Sequence, residues 1–169
     1  MPKLDKDGFI YDQTLWKGLK YGCRDSSQTG CGWIASYNIL HLLGYPYTPE
    51  QVCKTMSAWL PFGGLIGTHI LPLYIWIRKH TPLHISFVRN YSPVRLKNSK
   101  GGIAWYFTGK GLHFSAFSAT SKKGIFHFYN AVYGKQDITC TLPKFRQQFS
   151  AFPWIFILSV PHTTKKERR

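Results

Sequence analysis

Apolar positions set the first half of the chain in a helical rhythm. After Gly32, Ile34, Tyr37, Leu40 and Leu43 recur at helical spacing, and Gly44 follows as a normal C-terminal stop, which predicts a helix over about residues 32–43. Thr48-Pro49-Glu50-Gln51 then reads as a helix start. Threonine caps, proline takes the first helical position, and glutamine closes a capping box. That helix runs through Val52, Met56 and Trp59 to a stop at Pro61. A third helix is predicted over roughly 70–80, with Pro72 in its first turn. Beyond His80 the period changes to alternation. Strands are predicted over 83–88, 93–97, 102–107, 112–119, 124–132 and 154–160, with a short helix near 143–149; residues 1–22 read mostly as loop. Helices first and antiparallel strands afterwards predict an α+β fold, with N-terminal helices packed on one side of a C-terminal sheet. No repeat or internal linker breaks it, so one domain is expected over 1–162, followed by a basic tail at 163–169.

With 169 residues the chain can bury a sizeable core. Its formal charge of +15 points to an anionic partner: nucleic acid, a membrane surface, a cell-wall polymer or an acidic protein. The plainer reading is a solvated basic surface. No helix-turn-helix, RNA-binding sheet or zinc-finger pattern accompanies the charge. The four cysteines, Cys23, Cys31, Cys53 and Cys140, form no CxxC pair and no zinc spacing, so neither a metal nor a cofactor is expected. The first residues lack an apolar signal region, and no apolar run is long enough to span a bilayer. A cytoplasmic chain with reduced thiols is the expectation.

Chemistry concentrates at Gln28-Thr29-Gly30-Cys31-Gly32-Trp33. The cysteine falls at the mouth of the first helix, where unpaired N–H groups and the helix dipole favour a thiolate. Flanking glycines allow a tight turn and an approachable sulfur. A buried structural cysteine would fit the same place, so the reading needs partners. A thiol nucleophile needs a base, and the base needs an orienting group. Among seven histidines, His113 stands out. A hairpin turning through Ser121-Lys122-Lys123-Gly124 would set His113 opposite Asn130, with Cβ atoms about 5 Å apart. Asn130 Oδ1 would then hold one ring nitrogen and leave the other for Cys31. His127 falls on the opposite face and reads as packing or surface. An oxyanion hole needs two donors. The Cys31 amide supplies one; Gln13 and Gln28 are both candidates for the second. Trp59, Phe62, Trp105, Tyr106 and Phe107 could line a groove or fill the core, and the glycine-rich loop 62–67 could serve as a lid.

Together these stretches resemble the papain-like cysteine peptidase superfamily, and within it the double-glycine leader peptidase-like branch. The likeness lies in Tyr11-Asp12-Gln13 with Trp16, Gly30-Cys31-Gly32, Leu42-Leu43-Gly44 with Thr48-Pro49-Glu50-Gln51-Val52, Gly111-Leu112-His113-Phe114 and Tyr129-Asn130-Ala131. It covers about residues 11–134. The resemblance implies a papain-like fold and a thiol protease mechanism. Cys31 would form a thioester with a peptide or protein substrate, His113 would shuttle the proton, and Asn130 would orient His113. Asparagine stands where many members of that branch carry aspartate, and Trp33 follows the nucleophile where small residues are common. Hydrolysis of an amide, acyl transfer to an amine on the same scaffold, and a degenerate basic binding module are all compatible with this pattern.

Overall fold

The structure, a computed structural model, describes residues 4–81, 86–89, 96, 99–132, 135–151 and 156–161. A short 3₁₀ turn at Gln13–Leu15 precedes a two-stranded hairpin, β1 (Lys20–Tyr21) and β2 (Arg24–Asp25). Then come α1 (Ser26–Thr29), α2 (Cys31–Leu42), α3 (Pro49–Ser57) and α4 (Ile70–His80). The strands are β3 (Ser86–Arg89), β4 (Ser99–Phe107), β5 (Leu112–Ala119), β6 (Ile125–Val132), β7 (Lys135–Thr141) and β8 (Phe156–Pro161), with α5 (Leu142–Phe149) between the last two. They form one antiparallel sheet in the order β3-β8-β4-β5-β6-β7. The α+β architecture is therefore as expected.

Helix α2 organises the molecule. Ten of its twelve residues, Cys31 to Leu40, are buried. A helix apolar all round must be enclosed on every side. The sheet face bearing Ile103, Phe114, Ala116 and Tyr129 covers one side; Val52 and Met56 of α3 and Leu73, Trp76 and Ile77 of α4 cover others. The N-terminal strap closes the rest. Asn38, buried in mid-helix, accepts from the Ile10 N–H (2.9 Å) and donates to the Ile10 carbonyl (2.8 Å). A buried side-chain amide is tolerated there because both its ends are bonded. Tyr37 donates to the Gly8 carbonyl (2.9 Å), and Phe9 stacks on Tyr129 at 4.3 Å. The capping box of α3 is present, with Thr48 and Gln51 bonded reciprocally.

Several expectations change. Helices cover both faces of the sheet, not one. On the face away from α2, Ala104, Tyr106, Phe117, Phe126 and Phe128 form a second core, which α5 closes. The Phe145 ring stacks on Phe128 at 3.9 Å and meets Tyr106 edge-on at 5.1 Å. Strand β7 is an addition: Gly134-Lys135-Gln136-Asp137 reads as a turn, and only Ile138 and Cys140 carry an apolar signal. The β1–β2 hairpin is too short to leave a pattern. The predicted strand 83–88 begins at Ser86 among the described residues. The one predicted at 93–97 lies outside them except for Leu96, which is helical. None of the described helices is long and apolar enough to cross a membrane.

Phe145→Ala removes a side chain with no solvent exposure whose ring packs on two others. Urea unfolding should show a loss of about 3–5 kcal/mol. A loss within experimental scatter would mean that α5 does not close the second core.

Candidate active site

Cys31 is the first residue of α2, but the helix does not begin from open loop. Helix α1 runs into it through Gly30, which is itself right-handed helical (φ −76°, ψ −3°). The glycines on either side of Cys31 are there for close packing. A Cβ on Gly30 would lie 2.4 Å from the Ser26 carbonyl oxygen, and one on Gly32 would lie 2.1 Å from Thr68 Oγ1. Both are positions of tight packing and not of a free turn, and Cys31 between them is only 7% exposed. Trp33, the unusual neighbour, is core: its indole N–H donates to Ser26 Oγ (3.1 Å), and its rings meet Trp16 edge-on.

The sulfur lies against β5. The N–H groups of Phe114, from the sheet, and of Gly32 and Cys31 lie near enough to favour its charged form. Phe114 follows His113. Its N–H is available because β5 and β6 part at this point. Their ladder runs from Ala119–Phe126 to Ala116–Tyr129, and β6 then bulges between Tyr129 and Val132. Ser115 Oγ bonds the Tyr129 carbonyl (2.8 Å) at the edge of the gap. Continued past its last pair, this register would set Asn130 opposite Ser115, two residues from the predicted pairing with His113.

The gap is bridged by the histidine. His113 is buried, and its Nε2 donates to the backbone carbonyl of Asn130 at 2.7 Å. A carbonyl can only accept, so Nε2 bears the hydrogen and Nδ1 carries the lone pair. The expected bond from Asn130 Oδ1 to the ring is replaced by this main-chain bond. Asn130 has φ +53°, a left-handed conformation that asparagine tolerates better than most residues. Strand alternation points the His113 side chain toward the second core, where it meets the Tyr106 ring edge-on at 5.7 Å. Tyr106, weighed above as groove or core, is fully buried and donates to the Ala131 carbonyl beside Asn130.

The Asn130 side chain is engaged by Gln13. The Gln13 main-chain N–H donates to Asn130 Oδ1 (3.1 Å), and Asn130 Nδ2 donates to Gln13 Oε1 (3.4 Å). Gln13 Nε2 in turn donates to the Ser27 carbonyl on α1 (3.1 Å). Gln13 is wholly buried and so clasps the bulge of β6 to the start of the α1–α2 helix. Its amide is committed to that clasp, which argues against the oxyanion-hole role considered for it. Gln28 is exposed on α1. His127 is half-buried beside Tyr11 and Tyr129, with Nδ1 3.0 Å from Thr139 Oγ1, in keeping with a packing role. Sequence alone gave no signal for Phe114, whose contribution is a main-chain N–H, or for Thr68, which bonds Tyr21 Oη (2.8 Å) and presses on Gly32.

Electrostatics oppose the expected thiolate. Burial pushes the Cys31 thiol up to about 11, although the three amides pull the other way. Burial likewise pushes His113 down to about 4, against a smaller opposing effect of the Asn130 carbonyl. Both groups are neutral at pH 7.

Gln13→Ala leaves Asn130 Nδ2 and the Ser27 carbonyl without their partner. A stability loss of about 1–3 kcal/mol is expected in urea unfolding, and an unchanged midpoint would refute the clasp. His113 gives a pH signature. Between pH 6.5 and 4 the unfolded chain binds a proton that the folded chain refuses, so stability falls as pH drops through that window and is fully present above it. The contribution is about 3 kcal/mol. Unfolding curves at pH 7 and pH 4.5 should differ by less in His113→Gln than in the native sequence; equal differences would refute the assignment. Comparison with protein-family models and with curated proteins finds no match for this chain.

Proposed function

We propose that the chain is a papain-like, thiol-dependent enzyme that cleaves a peptide or isopeptide-type amide, with Cys31 as nucleophile and His113 as base. The supporting observation is the docking of the sulfur on the histidine strand. The amide next to His113 holds Cys31 Sγ at the gap that His113 itself bridges to Asn130. In this reading His113, carried on the second-core face of β5, reaches the sulfur through the gap between β5 and β6 when substrate binds, and takes the Cys31 proton as sulfur attacks the substrate carbonyl. The N–H groups of Cys31 and Gly32 take the developing oxyanion. His113 returns the proton to the leaving amine, and water then cleaves the thioester. An amine in place of water gives acyl transfer by the same path. Asn130 acts through its carbonyl, fixing the ring tautomer, and Gln13 positions Asn130. Gln28 is the remaining side-chain candidate for the oxyanion hole. The neutral resting pair assigns charge separation to the moment of substrate binding, when the amides have an oxyanion to bind.

The buried, neutral thiol favours a second reading, a catalytically silent relative of the same fold. Activity separates the two. Cys31→Ala should lower hydrolysis of a fluorogenic peptide library by roughly 10³-fold or more. Retained hydrolysis would end the enzymatic assignment to Cys31, and a native protein inert to every peptide and to acyl-transfer probes would favour the silent reading. Thiol alkylation tests the geometry separately. With iodoacetamide at pH 8, mapped by peptide mass, Cys31 should react about 100-fold more slowly in the folded than in the urea-unfolded chain, in line with the raised thiol. Its rate should climb between pH 9 and 11; fast labelling at pH 7 would contradict the burial.

A further inference from the structure

A second feature lies outside the thiol site. Between α3 and α4, the turn at Pro61–Gly64 and the residues after it hold three large apolar side chains out in solvent: Phe62 (78% exposed), Leu65 (57%) and Ile66 (68%). This knob has a fixed shape. The Gly63 carbonyl accepts from the Cys23 N–H in the β1–β2 turn (2.8 Å), and Gly64 sits against Tyr21 and Gly22. Within the knob, Leu65 and Gly67 donate to the carbonyls of Phe62 and Gly64. Phe62 itself is held at φ +50°, a left-handed conformation that a phenylalanine rarely adopts. The backbone thus accepts strain while a phenyl ring points into water.

Helix α4, the next element, adds Leu71 and Ile75, exposed at helical spacing ahead of Arg78. Cations flank it. Lys79 Nζ lies over the Trp59 ring (5.3 Å), just before the knob. The hairpin bonded to the knob exposes two more, Lys20 and Arg24. No aspartate or glutamate occurs between Glu50 and Asp137, so neither the knob nor α4 carries an opposing charge. The acid within the hairpin, Asp25, is committed to the N–H groups of Gly18 and Ser27.

We infer that this face docks on an anionic lipid bilayer. Phe62, Leu65 and Ile66 enter the boundary between headgroups and acyl chains, and the cations of α4 and of the hairpin rest on lipid phosphates. Protruding apolar knobs ringed by positive charge fit a deformable anionic surface. A protein partner would have to supply a matching socket for each knob. The contact is interfacial, since none of the described helices is long and apolar enough to cross the membrane. It does not depend on the chemistry proposed for Cys31.

Co-sedimentation tests it, with vesicles of phosphatidylcholine alone and of phosphatidylcholine and phosphatidylglycerol in a two-to-one ratio. The full chain should partition onto the anionic vesicles, and added salt should release it. Phe62→Ser/Leu65→Ser/Ile66→Ser should weaken binding roughly tenfold or more. Arg78→Gln/Lys79→Gln should weaken it several-fold and flatten its salt dependence. These side chains are exposed, and an unchanged thermal midpoint confirms that each variant is folded. Three results would overturn the inference: no binding of the native sequence to anionic vesicles, a triple-serine variant that binds as well as the native sequence, or sedimentation showing that the knob joins two copies of the chain while binding no lipid.

Discussion

Everything in this structure follows from a helix that has no side to give to solvent. From Cys31 to Leu40 each residue of α2 is buried, so the helix can exist only inside a shell. The sheet, α3, α4 and the N-terminal strap form that shell, and each is tied on by contacts that suit its chemistry. The strap is polar backbone, so it is fastened by polar side chains: Asn38 to Ile10, Tyr37 to Gly8, and Gln13 to Asn130 and Ser27. A segment that looks like loop by composition is therefore a structural strand of the shell in all but its ladder. The same enclosure puts a thiol at a helix mouth and takes water away from it.

Removing water decides the electrostatics of the site. At a solvated helix N-terminus, amides and dipole would favour the thiolate. Here three N–H groups do point at the sulfur, yet the loss of hydration outweighs them and raises the thiol. His113 is subject to the same physics with the opposite sign. Cys31 and His113 are thus both uncharged at rest. An arrangement of N–H donors aimed at a neutral sulfur gains strength only when negative charge arrives, which is the condition for differential stabilisation of a transition state.

Much of this was legible in the chain. Periodicity and capping residues located α2, α3, α4 and α5 to within a residue or so at most ends, because those signals are local. Alternation located β4, β5 and β6 for the same reason. The features it missed are collective. Asn130 was found as a partner of His113, but the bond is made by its carbonyl, because one left-handed residue breaks the alternation on which the pairing rested. The hairpin register differs by two residues from the one read off Ser121-Lys122-Lys123-Gly124: Ile125 donates back to the Lys122 carbonyl, and Gly124, at φ +78°, completes the turn. Gln13 was singled out by residue type and given a different task by position. The thiol's environment depends on burial, which no local window contains.

The loop ahead of α4 links the interior to the surface. Its exposed end carries Phe62, Leu65 and Ile66; its buried end, Thr68, lies where a side chain on Gly32 would otherwise be. Thr68 also bonds Tyr21, whose hairpin grips Gly63 at the loop's other end. The knob, the hairpin and Gly32, the residue after Cys31, are therefore joined by short, direct contacts. Packed interiors transmit displacement instead of absorbing it. Contacts through Thr68 and Tyr21 thus lead from the knob's hairpin to Gly32, one residue from the sulfur.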